Sequence, residues 1–158
     1  MRTIYALLIV SLLTFLSGIA FIVLAAKDAG KVPAAAPVAS VKQMMQGVII
    51  PASATVYNSV STTITEKGTE EVFPRNDQEW ENVGSNAMVL IEAANLLKVE
   101  GRAKDDSDWA RMSDAMATAA RQVFQATEKK DVEALLAAGE PLNASCDSCH
   151  RRYEAPVE

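Results

Sequence analysis

The fold can be worked out from the stretch KDVEALLAAGEPLNASCDSCHRRY, residues 130–153 of this 158-residue chain. It holds both cysteines of the chain, Cys146 and Cys149, and the only histidine, His150. Positions i, i+3 and i+4 of an α-helix share one face, so these three side chains should project together. The segment is therefore predicted to be a helix that presents two thiols and one imidazole on one side.

This last helix should begin near Asp131 and continue past Tyr153, with Leu135 and Leu142 on or near the face of the cysteines. Residues 139–141, Gly-Glu-Pro, should interrupt or kink it, because proline lacks the N–H of a helical hydrogen bond.

Another helix is predicted over residues 40–67, where apolar side chains recur at helical spacing. They are Val41, Met45, Val48, Ala52, Val56 and Val60. Pro51 should kink this helix. Its tail, residues 56–66 (VYNSVSTTITE), is β-branched and by itself favours a strand. We predict helix there because the rest of the domain is helical.

The two helices between are predicted over residues 77–100 and 108–129. Asn76 with Glu79 forms a capping box, Gly101 is a stop signal and Ser107 is the next cap. Four amphipathic helices with mostly short links predict an all-α fold, an antiparallel four-helix bundle.

The N-terminus is a separate segment. Residues 3–26 carry no charge and span roughly 36 Å as a helix, enough to cross a bilayer core. The cleavage site expected of a signal peptide is poor, which favours an uncleaved transmembrane anchor. We predict an anchor at residues 1–26, an Ala/Pro-rich linker at 27–40 and the four-helix-bundle domain at 41–158.

The overall charge narrows the classes of function. The net charge is −5, and no basic stripe interleaved with aromatic residues occurs, which argues against nucleic acid as a partner. No second acid–base group or nucleophile stands near the cysteine motif. We therefore predict no catalytic residues and no enzyme.

The C-x-x-C-H spacing is the attachment motif of a c-type haem. Cys146 and Cys149 can form thioethers to the two vinyl groups of one haem, and His150 can ligate the iron. A structural zinc site wants four ligands and this motif offers three. A thioredoxin-like site belongs near a βαβ pattern, and a cysteine nucleophile needs a base that faces it. A plain structural disulfide between the cysteines also stays open. Haem attachment takes place outside the cytoplasm, which puts the domain on the periplasmic side of the inner membrane.

Residues 40–154 resemble cytochrome c-prime and its low-spin, methionine-ligated relatives. The resemblance rests on MQGVIIPASATVY (45–57), PRNDQEW (74–80), EAANLL (92–97) and the terminal stretch of residues 130–153. It implies that Cys146 and Cys149 are the thioether sites and that His150 is the proximal ligand.

The resemblance leaves the sixth iron ligand open. Low-spin relatives use a methionine of the first bundle helix, and cytochrome c-prime leaves the position vacant. Met45 shares the apolar stripe of its helix and is the candidate distal ligand; Met44 is its neighbour. The alternative is that Met45 fills a gap in the core, as methionine commonly does.

Two residues after the motif belong to the expected haem surroundings. Tyr153 would pack on the haem edge or in the core. Arg151 or Arg152 would pair with a haem propionate, and at least one of them should be solvated surface.

The expected function is a membrane-tethered periplasmic cytochrome with one covalent haem c that carries single electrons between redox protein partners. With a vacant sixth position, the same scaffold would instead bind small gases such as nitric oxide or carbon monoxide. The third reading is a haem subunit of a larger membrane redox complex. The resemblance also allows a homodimer.

Overall fold

The structure is a computed structural model that describes residues 2–28, 37–105 and 107–154. It is mostly helical, with a small two-stranded sheet. The chain divides into two compact units, Met1–Ala35 and Ala36–Glu158, and each is described by itself.

The N-terminal unit contains helix α1, Arg2–Asp28. By length and composition its stretch Ile4–Ile22 can cross a membrane, a property that a signal sequence shares. The helix reaches two residues beyond the predicted anchor end at residue 26. Most of the predicted linker, residues 29–36 of 27–40, lies outside the described residues.

The second unit begins with one helical run in three parts: α2 (Val41–Met44), a π turn (Met45–Ile49) and α3 (Ile50–Asn58). In the π turn the Ile50 N–H donates to the carbonyl oxygen of Met45, five residues back. In a regular α-helix the ring of Pro51 would collide with the carbonyl four residues before it. The wider turn just ahead of Pro51 relieves that collision.

The π turn also changes which side chains face the core. The buried positions of this run are Met44, Ile49, Ala52 and Val56, with a five-residue step between the first two. Val48 and Met45, placed on the buried stripe from an unbroken α period, are half-buried instead. Because one turn contains an extra residue, the neighbouring residues Met44 and Ile49 face the core instead of Met45 and Val48.

The prediction of helix as far as residue 67 is wrong, and the mostly helical fold contains a small two-stranded sheet that the all-α prediction did not include. The run ends at Asn58, and strands β1 (Ser61–Thr65) and β2 (Gly68–Val72) form an antiparallel hairpin. Every strand side chain is exposed, so no core contact overrides the β-branched propensity. Gly68 has φ +130° directly after the two-residue turn, a conformation that glycine tolerates best.

Helix α4, Asp77–Leu97, begins at the predicted cap: the Asn76 side chain accepts from the N–H of Glu79 at 3.0 Å. The Glu79 carboxylate in turn accepts from the backbone N–H of Arg75 at 2.6 Å. The helix ends three residues earlier than predicted. Gly101, at φ +88°, lies in the turn that follows.

Helix α5 spans Asp108–Lys129, as predicted, but its cap differs. The Ser107 side chain makes no capping hydrogen bond. The carboxylate of Asp105 accepts from the backbone N–H of Trp109 at 2.9 Å and from that of Ser107 at 3.2 Å. A residue two positions before the expected cap therefore satisfies the first turn.

Helix α6, Val132–Tyr153, follows after Lys130, which adopts the left-handed conformation, and Asp131, which caps the helix. The predicted interruption at residues 139–141 is not observed, because the helix continues through Pro141. Proline deprives the carbonyl of Ala137 of its partner. Both residues are exposed, so water can replace that hydrogen bond.

Packing around the core is uneven. The most extensive contact joins α4 to α5; α5 also packs on α6, and α3 packs on α4. Across the described part of the second unit, by contrast, α6 and the run Val41–Asn58 approach each other at few backbone positions. A gap between these two elements, at the end of α6 that carries the cysteines, is lined by residues of both.

Candidate functional site

The two cysteines and the histidine lie on the last three turns of α6. Cys146 and Cys149 are half-buried free thiols. His150 is more open, with 47% of its side chain exposed. The regular helical spacing brings the three together, as predicted, and they face the gap between α6 and the first helical run.

Two cavities occupy this gap. An enclosed interior cavity of about 30 Å³ is lined by Cys146, Cys149 and His150 from α6 and by Met45 and Ile49 from the π turn. A larger open cleft of about 510 Å³ is lined by Met45, Cys149 and His150 again, together with Lys42, Lys104, Trp109, Tyr153 and Glu154. The three shared residues stand at the boundary between the two cavities.

A depression of about 620 Å³ lies elsewhere, between α4 and α5, with Trp80, Gly84 and Phe124 in its wall. It is the larger space, but its described lining contains no cysteine or histidine. Chemistry therefore favours the smaller cleft as the candidate site.

The structure separates the two methionines of the first run. Met44 is 5% exposed and packs into the core. Met45, one residue on, lines both cavities with His150. Its position on the π turn directs it to the gap, so the two adjacent methionines differ in access to the site.

Two further methionines reach the interior cavity. Met112 and Met116 of α5 line it with Cys146 and His150. Met116 is also part of the buried core, at 6% exposed. Their spacing of four residues places them on one face of α5. The spacing shows only that the two methionines share a face of α5. Which helix that face contacts depends on how the helices pack.

The environment suppresses ionisation of both thiols. Burial raises the pKa of Cys146, and the nearby charge of Asp147 adds to the shift, although a hydrogen bond with Ser145 opposes it. Burial also raises the pKa of Cys149, with the charge of Cys146 as the second cause. The folded chain without a bound group therefore keeps both thiols protonated at neutral pH, and a protonated thiol is a poor nucleophile.

His150 has a carboxylate partner. Its Nδ1 lies 2.9 Å from Oε2 of Glu154, one helical turn further on. This contact leaves Nε2 as the ring nitrogen available to a metal. Sequence reasoning missed Glu154, although its i+4 spacing from the histidine was the available signal.

Tyr153 both lines the cleft and packs on the core. Its ring meets that of Trp109 edge-to-face, with centroids 4.9 Å apart. Its hydroxyl donates to the carboxylate of Asp105, the residue that caps α5. Burial and this hydrogen bond raise the pKa of Tyr153. The last turn of α6 is thereby tied to the first turn of α5.

The two arginines after the histidine differ. Arg152 forms an ion pair with Asp108 at 2.8 Å and lies over the ring of Tyr153. Arg151 is exposed as well, and neither arginine lines either cavity. Of the residues after the motif that were expected near the haem, only Tyr153 lines the cleft.

Among the described residues, no group of three or more His, Cys, Asp and Glu side chains is arranged to hold a metal ion. A haem iron makes a smaller demand, because the porphyrin supplies four nitrogens and the protein supplies only the axial ligands.

The chain was also compared with known proteins. Neither the family models, nor the curated proteins, nor the solved structures contain a match to it.

Proposed function

We propose that this protein is a membrane-tethered c-type cytochrome of the periplasm that carries single electrons on one covalent haem. Its helical domain is an antiparallel four-helix bundle related to cytochrome c-prime and its low-spin relatives. The observation that carries the proposal is the joint position of Cys146, Cys149 and His150 beside cavities that Met45 also lines.

The site fits the group in size and in chemistry. A cleft of about 510 Å³ falls in the range of cofactor pockets, about 300–1,000 Å³. Residues of both α6 and the run Val41–Asn58 line this cleft. Trp109, Tyr153 and Ile50 supply apolar walls, and Lys42 with Lys104 supplies cations for the propionates.

Each residue has a distinct task. Cys146 and Cys149 each add across one vinyl C=C bond, sulfur to one carbon and hydrogen to the next, so that nothing is released. His150 offers Nε2 to the iron. A bound haem supplies one-electron chemistry between ferric and ferrous iron. The surrounding residues exclude water and set the potential at which that electron moves.

Met45 is the best-supported sixth ligand. It comes from the element that lies across the gap from His150, whereas Met112 and Met116 come from α5, which packs directly on α6. Met44 is buried in the core and lines neither cavity. His/Met ligation raises the reduction potential, which suits an electron carrier.

The location follows from the same proposal. Helix α1 anchors the chain in the inner membrane, and the haem domain lies on the periplasmic side, where c-type haem is attached. Redox proteins, or a membrane complex that contains this chain, are the partners.

The test is the optical spectrum of the purified full-length protein and of Met45→Ala, oxidised and reduced, with and without carbon monoxide. Mass spectrometry in parallel should find the mass of one haem on the wild-type chain. We expect a low-spin wild type that becomes high-spin and binds carbon monoxide in the variant.

Met112→Ala and Met116→Ala are the matched controls, since they remove the other methionines of the interior cavity. Both should keep the low-spin spectrum. If the wild type is high-spin and already binds carbon monoxide, and no substitution changes its spectrum, the result would favour gas binding over electron transfer. A chain without covalent haem would refute the proposal altogether.

A further inference from the structure

The carboxylate of Glu154 is held beside His150 by two separate contacts. Its Oε2 lies 2.9 Å from Nδ1 of the imidazole. Its backbone N–H also donates to the carbonyl oxygen of His150, again at 2.9 Å. The second contact closes the last turn of α6 and fixes the start of the Glu154 side chain relative to the ring.

Stability does not account for this pair. The two side chains are 47% and 62% exposed, and ion pairs of such exposure contribute little to folding. A carboxylate at this distance can act on the ring itself: as an acceptor at Nδ1 it would select the Nδ1–H tautomer and restrict rotation about the Cβ–Cγ bond. The choice of tautomer leaves Nε2 unprotonated, and the restricted rotation fixes the direction in which Nε2 points.

We infer that Glu154 is a positioning residue for His150, which accepts the Nδ1–H bond and thereby orients Nε2 as iron ligand and tunes the iron's potential. The inference rests on the proposed haem site. Histidines that ligate metals commonly donate their other N–H to a carboxylate, which fixes ring orientation and strengthens electron donation to the metal.

The sign of the effect on the potential follows. A carboxylate at Nδ1 increases the electron density of the imidazole, and a more electron-rich ligand stabilises ferric over ferrous iron. Glu154 therefore lowers the reduction potential relative to a neutral acceptor. It opposes the rise that a methionine ligand produces.

The experiment compares the full-length wild type with Glu154→Gln, which keeps the size and an acceptor oxygen but removes the charge. Redox titration should show a higher potential for the variant. Resonance Raman spectra of the ferrous state should show a lower iron–histidine stretching frequency. These are recorded in a Met45→Ala background, where the axial methionine is removed.

Glu140→Gln is the matched control, because it makes the same charge change on the exposed surface of the same helix, two to three turns before the motif. It should leave the stretching frequency unchanged. Glu154→Asp, which keeps the charge, should return part of the wild-type frequency. The frequency separates hydrogen bonding from a general charge effect, which would move only the potential.

An unchanged frequency in Glu154→Gln, with haem attached and thermal unfolding unaltered, would overturn the inference and leave the proposed function intact. A chain without covalent haem would refute both the inference and the proposed function. The optical spectrum shows whether haem is attached and therefore distinguishes these two outcomes. Glu154→Ala gives a second variant, for which the frequency should fall at least as far as for Glu154→Gln.

Discussion

Two pairs of elements in this domain differ in how closely they pack. The first pair, α4 and α5, approaches closely, whereas a gap separates the second pair, α6 and the run Val41–Asn58. The two helices of the first pair carry small buried side chains: Ala87 and Ala94 of α4, and Ala120 and Val123 of α5, are each 0% exposed. A Cβ built on Gly84 would stand 2.9 Å from Oγ1 of Thr127. The gap is lined by long sulfur-bearing side chains and holds two cavities.

The difference teaches how one small domain combines a rigid frame with an open site. Small residues let α4 and α5 approach closely, and close packing makes that pair intolerant of added or lost volume. Methionine is flexible and adapts to irregular space, so it suits a wall that must fit a bound group. Substitutions on the two sides should therefore have unequal effects.

The largest effect on folding is expected in the packed core of α4. Leu90, 1% exposed, should lose about 2–5 kcal/mol of unfolding free energy on change to alanine, because a cavity is left in a packed core. Met112→Ala, at the half-buried cavity wall, should cost less. Urea unfolding measures both. Equal losses would contradict the contrast between the two sides.

A smaller loss is expected from adding one methyl group at the closest approach. Gly84→Ala should destabilise by about 1–3 kcal/mol, since Thr127 Oγ1 must move and its hydrogen bond to the carbonyl of Phe124 is disturbed. Gly139→Ala is the control: nothing lies within 4 Å of its Cβ position, and it should stabilise by about 0.5–1 kcal/mol. Thermal unfolding in which both glycines behave alike would argue against the close approach.

Alkaline pH should lower the stability of the domain through Tyr57, which lies near Cys146. Burial raises the pKa of Tyr57 to about 12 from 10.0, and the charges of Cys146 and Asp147 add to the shift. The unfolded chain then ionises first, so stability present below pH 10 is lost as the pH rises towards 12. Tyr57→Phe should flatten this loss. Melting temperatures across that range measure it, and parallel curves for the two proteins would exclude Tyr57 as the cause.

The smallest effect concerns acid pH and the tie between α5 and α6. The backbone N–H of Trp109 and then the Tyr153 hydroxyl hold the pKa of Asp105 below its ordinary 3.8. A lowered folded-state pKa contributes stability above 3.8, and that stability is lost as the pH falls through the folded value. Asp105→Asn should therefore be less stable than wild type at neutral pH, and the difference should shrink on acidification. Melting curves followed by circular dichroism measure this difference. A difference in stability that does not change with pH would contradict the prediction.

Local signals predicted much of the helical frame. The α5 bounds agree with the prediction, α6 begins one residue later than expected, and α4 keeps its cap at Asn76. The hairpin was missed because the helical character of the neighbours outweighed a β-branched segment that has no core contacts. The π turn was missed because a stripe drawn at one helical period cannot reveal an inserted residue.

The sequence by itself determined that two thiols and an imidazole share one helix face, because helical spacing depends only on neighbours along the chain. The sequence also favoured Met45 over Met44 as the residue that faces His150. Only the tertiary structure decided that Met112 and Met116 line the interior cavity and that Tyr153 bonds to Asp105. These contacts join residues from different helices. They depend on how the helices pack, and one residue of register in a single turn is enough to change them.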